Sequence, residues 1–412
     1  MIRGVAWAAA IGAAVMWLGA GCGGDDGATA DAAPPADAPS VIDAASVDAV
    51  AVADAPPAEA RCPIAPGEGV SFDLDEPACE RLSSYRFFSG PGSALIANTG
   101  VIPYDVNTPL FSDYSTKHRY LWLPPDSHIT YTETGTLDFP VGAVIIKSFG
   151  YLADIRDPQS ELRQVETRLL VHRADGWEGV VYEWNEDQTD ALFTLTGGVV
   201  PVSWIDAAGD QVAIDYTIPN VNQCKGCHEQ KIDDADVMGP IGPSARQLNR
   251  DFAYATGPEN QLTHLAAAGA LMGAPADPAS APKLPVWDDP ESGTVAERAR
   301  AYLEANCAHC HNPEGPARVS GLDLQASQTD PYAFGVCKPP VAAGPGAGDR
   351  DYAIVPGMPD ASILVYRLES TEPEIMMPEL LKTVAHAEGV ALVRQWITEM
   401  AGTCDAPAPS LR

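Results

Sequence analysis

Cys224-Lys225-Gly226-Cys227-His228 recurs further along the chain as Cys307-Ala308-His309-Cys310-His311, so the pattern CxxCH occurs twice. Thiols three residues apart share one face of a helical turn, where both can add to the vinyl groups of a haem. The adjoining imidazole then stands in place as a ligand to the iron. With 9 Cys and 8 His in 412 residues, chance yields about 0.004 copies of this pattern. Two rival chemistries use similar spacing. A thioredoxin-like redox pair expects a βαβ context, and a structural zinc site would join the two motifs into one cage. The first motif follows a Pro-Asn loop and leads into a stretch read as helical, and both motifs end in His. The sequence therefore predicts two covalently attached c-type haems, held by Cys224, Cys227 and His228 and by Cys307, Cys310 and His311. His309, inside the second motif, receives no role.

The wider composition bounds what such a protein can meet. A length of 412 residues predicts two or three domains, and 25 Lys plus Arg against 56 Asp plus Glu give a formal charge of -31. That balance argues against nucleic acid and anionic membrane surfaces as partners. At the N-terminus, Arg3 precedes an apolar run over residues 5–18, shorter than the ~20 residues of a membrane-spanning helix. Leu18-Gly19-Ala20-Gly21-Cys22 resembles a bacterial lipobox, which makes residues 1–22 a lipoprotein signal and Cys22 the lipidated residue. Gly23 and Gly24 favour the periplasmic side of the outer membrane, or the cell surface. Residues 23–61 are Ala, Asp, Pro and Ser with few large apolar side chains, a disordered acidic tether. Export permits disulfides. With four Cys in the motifs and Cys22 in the anchor, the remainder pairs most simply as Cys62 with Cys79 and Cys337 with Cys404.

Residues 62–218 show short alternating or apolar runs at 128–132, 141–146, 165–172, 179–184 and 212–216, with a hairpin loop at 174–178. About seven strands predict an all-β, sandwich-like domain. From 219 the reading is all-α: a first haem unit over 219–290, with a helix at 261–271, and a second, cytochrome c-like unit over 291–405. Thr294-Val295-Ala296-Glu297 is a capping box opening a helix that delivers Cys307. A closing helix over 387–400 carries Val390, Val393, Trp396, Ile397 and Met400 on one stripe, with Gly402 at its C-cap.

The sixth iron ligand decides whether a haem transfers electrons or binds small molecules, because a soft thioether raises the potential and closes the iron. Met377, before Pro378, is the expected distal ligand of the second haem, ahead of Met358 and Met376. For the first haem the candidates are Met272, His264 and Met238, with Met272 taken forward.

Several runs together resemble a family of exported bacterial di-haem c-type cytochromes with a β-rich N-terminal region. They include Pro109-Leu110-Phe111-Ser112-Asp113-Tyr114-Ser115-Thr116-Lys117-His118-Arg119, Glu166-Thr167-Arg168-Leu169-Leu170, Pro219-Asn220-Val221-Asn222-Gln223 and Gly321-Leu322-Asp323-Leu324. The resemblance spans Cys79 to Cys404 and implies electron transfer in the periplasm or at the cell surface. It carries the haem ligands onto the six CxxCH residues and matches Met377-Pro378. An exported parallel β-helix protein is the partner it suggests. His386 stands where similar proteins often have Asp opening the last helix.

The expectation is thus an electron-transfer protein serving a redox partner. One alternative is a di-haem peroxidase or oxidoreductase subunit with an open haem. The other is a β-domain binding module, with Asp113, Lys117, His118 and Arg119 as its polar cluster, against a plainer reading of that cluster as a charged edge strand.

Overall fold

Alternation of apolar and polar residues between 101 and 193 builds six antiparallel strands: β1 (Val101–Tyr104), β2 (Thr116–Trp122), β3 (Val144–Leu152), β4 (Leu162–Arg173), β5 (Gly176–Trp184) and β6 (Ala191–Phe193). They pair in sequence order, a meander. The predicted hairpin at 174–178 forms, its loop only Ala174 and Asp175, with Gly176 at φ 130° where a side chain would be strained. This computed structural model describes residues 62, 67–90, 92–341 and 344–405. Cys22 and the acidic tether lie outside the described residues.

One face of the sheet is apolar. Tyr120, Val144, Ile146, Leu169, Val171, Val180 and Tyr182 form a core with Leu82, Tyr85, Phe87 and Leu95 from the preceding segment. The Cys62–Cys79 disulfide staples that segment, and Tyr182 Oη donates to the Cys79 carbonyl at 2.9 Å. On the opposite face a hairpin of β7 (Gly198–Ile205) and β8 (Gln211–Ile218) packs Val202, Trp204 and Tyr216 against Tyr151 and Val181. Layer by layer this is not a sandwich. Two strands form the β7–β8 sheet and irregular chain covers the other face.

The expectation of an all-α region after residue 218 is likewise corrected. Glu229–Ile232 pairs with Ala235–Met238, Asp251–Tyr254 pairs with Gly257–Asn260, and Leu271–Met272 pairs in parallel with Ile129–Thr130. The Asp233-Asp234 turn has φ of 48° and 62°, the left-handed pair that a two-residue hairpin loop requires and that Asp tolerates. The short strands of this segment find their partners by tertiary contact, which helical periodicity does not register. The same segment has no core of its own. Ala245, Leu248, Leu262, Leu265 and Leu271 are buried among Tyr104, Leu121, Phe139 and Ile145 of the sheet region.

Helices are α1 (Val221–His228), α2 (Gln261–Ala267), α3 (Val295–Leu303), α4 (Ile363–Glu369) and α5 (Ala387–Glu399), besides a single turn at Ala245–Leu248. The Thr294 capping box forms as expected: Thr294 Oγ1 accepts from Glu297 N and Glu297 Oε2 accepts from Thr294 N. A π-helical turn, Glu304–Ala308, continues α3 into the second motif. Helices α3 and α5 cross so closely that a Cβ on Gly389 would sit 2.4 Å from the Tyr302 ring. Their core holds Leu303, Cys307, Phe334, Leu368, Val393, Trp396 and Ile397. The Cys337–Cys404 disulfide closes the end of this unit.

Candidate haem-attachment site

Helix α1 carries the first motif, and its start is dictated locally. Asn220 Oδ1 accepts from Gln223 N and Gln223 Oε1 accepts from Asn220 N, both at 2.9 Å, a reciprocal cap that satisfies two end donors. The Asn-x-x-Gln spacing after Pro219 is the local signal for this helix start. Cys224 and Cys227 then share a helical face. His228 follows, and the next strand pair folds back so that its Nδ1 lies 2.9 Å from the Gly239 carbonyl, while Gly239 N donates to the His228 carbonyl at 2.8 Å.

The second motif is held in a parallel way. His311 Nδ1 lies 3.0 Å from Ser320 Oγ, and Leu324 N donates to the His311 carbonyl. Engaging Nδ1 as a donor fixes ring orientation and leaves Nε2 with a free lone pair, the arrangement that prepares a histidine for a metal. Burial pushes both imidazoles down to about 4, so each is neutral across the physiological range.

The two motifs meet. Cys227, His309 and Cys310 each bring one ligand atom within 4.8 Å of the others. The Cys310 hydrogen bond, helped by His309, holds the Cys227 thiol low and pushes Cys310 up. Cys307 is buried, which raises its thiol to about 12. His309, assigned no role from sequence, is therefore where the motifs join, and its Nδ1 is buried with no hydrogen-bond partner among the described residues.

A cavity of about 1040 Å³ opens beside this junction. Cys224, Cys227 and His228 line it from the first motif, Met238 from the strand pair that follows, Ala308 and His309 from the second motif with Asn312 just after it, and Met377 from the loop before α5. Gly179 of β5 forms part of its wall, and a Cβ there would lie 3.1 Å from Met238 Cε and 3.5 Å from Cys224 Cβ. The space, the paired thiols of Cys224 and Cys227 and the oriented His228 imidazole fit a haem at the first motif, whereas Cys307, Cys310 and His311 are not among the residues that line this cavity. Met272 is corrected as the first distal candidate: it is 55% exposed, paired beside Thr130, and not among the cavity-lining residues. His264 is stacked on Tyr254 and bonded to Glu259. Met238 alone of the three lines the cavity. For the second motif, Met358 is exposed and Met376 buried, whereas Met377 reaches the cavity wall.

The Met377 loop is fastened from two sides. Lys382 Nζ donates to the carbonyls of Leu368, Ser370 and Met377 at 2.6, 2.8 and 3.1 Å. Asp113, 2% exposed, accepts from Thr383 N at 3.0 Å and Val384 N at 3.1 Å. Beside it, Tyr114 Oη donates to Glu388 and accepts from Ala387 N, and Phe111 stacks on His386 at 4.2 Å. The polar run 111–119 is therefore not one cluster. Strand β2 is paired on both sides over Arg119–Trp122 and on one side only at Lys117 and His118, and Asp113 clamps the Met377 loop. Arg119 faces the cavity with Lys117 on the same side of the strand, while His118 faces the opposite side beside Gln164 and Leu95.

No family model, curated protein or solved structure matches this chain.

Proposed function

We propose that the chain is an exported di-haem c-type cytochrome that passes electrons to or from a redox partner. The observation that carries this reading is the meeting of two CxxCH motifs beside a cavity lined by Cys224, Cys227 and His228, each motif with the Nδ1 of its last histidine held by an oxygen acceptor. Cys224 with Cys227, and Cys307 with Cys310, would hold the groups through thioethers, and His228 and His311 would ligate them. The haem iron supplies one-electron chemistry when bound. Met377 is the distal residue proposed for the second site, seated by Lys382 and Asp113. Cys227 and Cys310, one from each motif, lie side by side, which keeps the electron path between the sites short. Lipidation at Cys22, an outer-membrane or surface location, and an exported β-helix protein as partner belong to the same proposal, resting on sequence alone.

The proximity of Cys227, His309 and Cys310 favours one rival, a metal cage joining the motifs. Export of the full chain in a host with c-type maturation separates the two. Haem-linked peroxidase staining of the denatured chain, with mass added for two haems, is expected. Stoichiometric zinc with unmodified thiols would overturn the haem reading.

A further inference from the structure

Across three neighbouring strands of the sheet, Arg119 pairs directly with Lys147, and Lys147 with Arg168. Three cations in cross-strand register repel one another, and this row lines the cavity that holds the first motif. Its compensation is incomplete. Arg119 is bonded to Asp105 at 2.8 Å, but Arg250 shares that carboxylate at 3.2 Å. Arg168 is bonded to the wholly buried Glu166 at 2.5 Å, and Tyr216 also donates to Glu166. Lys147 has no carboxylate within ion-pair distance among the described residues; its ammonium rests 4.8 Å from the Phe149 ring centroid. Lys117, on the same face, donates to the Ser115 carbonyl, and burial with the nearby Arg119 pushes its ammonium down to about 7. In a chain of net charge -31, this is a concentrated row of basic groups, and burial with the neighbouring Arg119 and Arg168 holds Lys147 well below its ordinary value, the cost of a buried ammonium without a counter-ion.

Position along the sheet gives the scale. Gly179, against Cys224, pairs with Leu170 of β4, two residues from Arg168. Lys147 lies one strand further, so two strand spacings and two residue steps separate it from the Cys224 wall, about 12 Å in the plane of the sheet. That is the order of a porphyrin's breadth, from its thioether edge to its carboxylate edge.

We infer that the Arg119–Lys147–Arg168 row is a carboxylate seat, and that it receives the propionates of the haem attached at Cys224 and Cys227. This rests on the haem reading above. The row then neutralises two carboxylates in a low-dielectric cavity, orients the group, and holds the first site at a higher potential than a neutral wall would. Its positioning residue is Lys147, the cation that lacks an anion of its own.

The test is a redox titration of the holoprotein, following each haem, for Lys147→Met, Lys147→Arg and Arg168→Gln, each checked for two covalently bound haems. Lys147→Met should shift the first haem's electron partition toward the oxidised form by about tenfold, 59 mV for a one-electron couple. Lys147→Arg should stay within threefold of the parent. A shift under twofold in both Lys147→Met and Arg168→Gln, or a shift confined to the second haem, overturns the proposal. Adding acetate or succinate to the parent should leave its spectrum unchanged. A saturable change lost in Lys147→Met would assign the seat to a free carboxylate instead. Loss of haem from the parent itself would fail the haem reading, a separate outcome.

Discussion

Replacing Asp113 should loosen the Met377 loop while leaving the sheet intact. The Asp113 carboxylate accepts from the Thr383 and Val384 amides, bridging positions some 270 residues apart in sequence. Hydrogen bonds to a charged acceptor contribute roughly 1.5–3 kcal/mol each. Both amides are only partly buried, which places the pair near the lower end, about 3–4 kcal/mol. Asp113 has φ 47°, so Asp113→Ala adds about 1 kcal/mol of left-handed strain. Asp113→Asn keeps the shape and tolerates that φ, and retains one carbonyl acceptor. It should cost about 2 kcal/mol, half of the pair. Native-state hydrogen exchange reads this locally. At tenfold per 1.4 kcal/mol, the Thr383 and Val384 amides should exchange about 25-fold faster in Asp113→Asn and about a thousandfold faster or more in Asp113→Ala. Amides of β3 and β4 should keep their protection. Exchange at Thr383 and Val384 within threefold of the parent, or a rise spread equally over the sheet, would refute the clamp.

Other expectations concern the same corner of the molecule. His386 is pushed down to about 4, chiefly by burial, with Glu388 opposing. Its folded value lies below the ordinary 6.5, so the unfolded chain binds more protons between the two values and stability falls as pH drops from 6.5 to 4, by up to about 3 kcal/mol. Urea unfolding across that window should flatten in His386→Gln; an unchanged slope would count against it. On the proposed haem reading, Lys382→Met should free the Met377 carbonyl and weaken the near-infrared thioether-to-iron band of the second site without releasing covalent haem. A full-strength band would detach Lys382 from that role. Replacing Cys337 and Cys404 by Ala removes a crosslink spanning 67 residues, which should cost about 4 kcal/mol on the chain-entropy account. A thermal or urea midpoint that hardly moves would contradict this. Replacing Cys62 and Cys79, spanning 17 residues, should cost about 3 kcal/mol.

The parts legible in the sequence are those whose physics is local. A capping box needs only residues three apart, and so the start of α3 at Thr294 was readable. The stripe of Val390, Val393, Trp396 and Ile397 follows helical period, and α5 packs it into the core. Two disulfides followed from counting thiols outside the motifs, and both form as paired. The CxxCH spacing itself places thiols and imidazole together on one turn.

What the chain alone left undetermined depends on residues far apart in sequence meeting in space. The short strands at 229–238 and 251–260 have weak periodicity, and partners rather than propensity make them strands. Only packing showed that residues 245–271 share a core with the sheet. Only strand register put Arg119, Lys147 and Arg168 in one row facing Cys224, because the pairing of three separate segments sets which side chains are neighbours. The sequence by itself determined where two haem-type motifs stand. Tertiary structure alone brought them edge to edge at Cys227 and Cys310 and turned Asp113 from an apparent surface charge into the clamp on the Met377 loop.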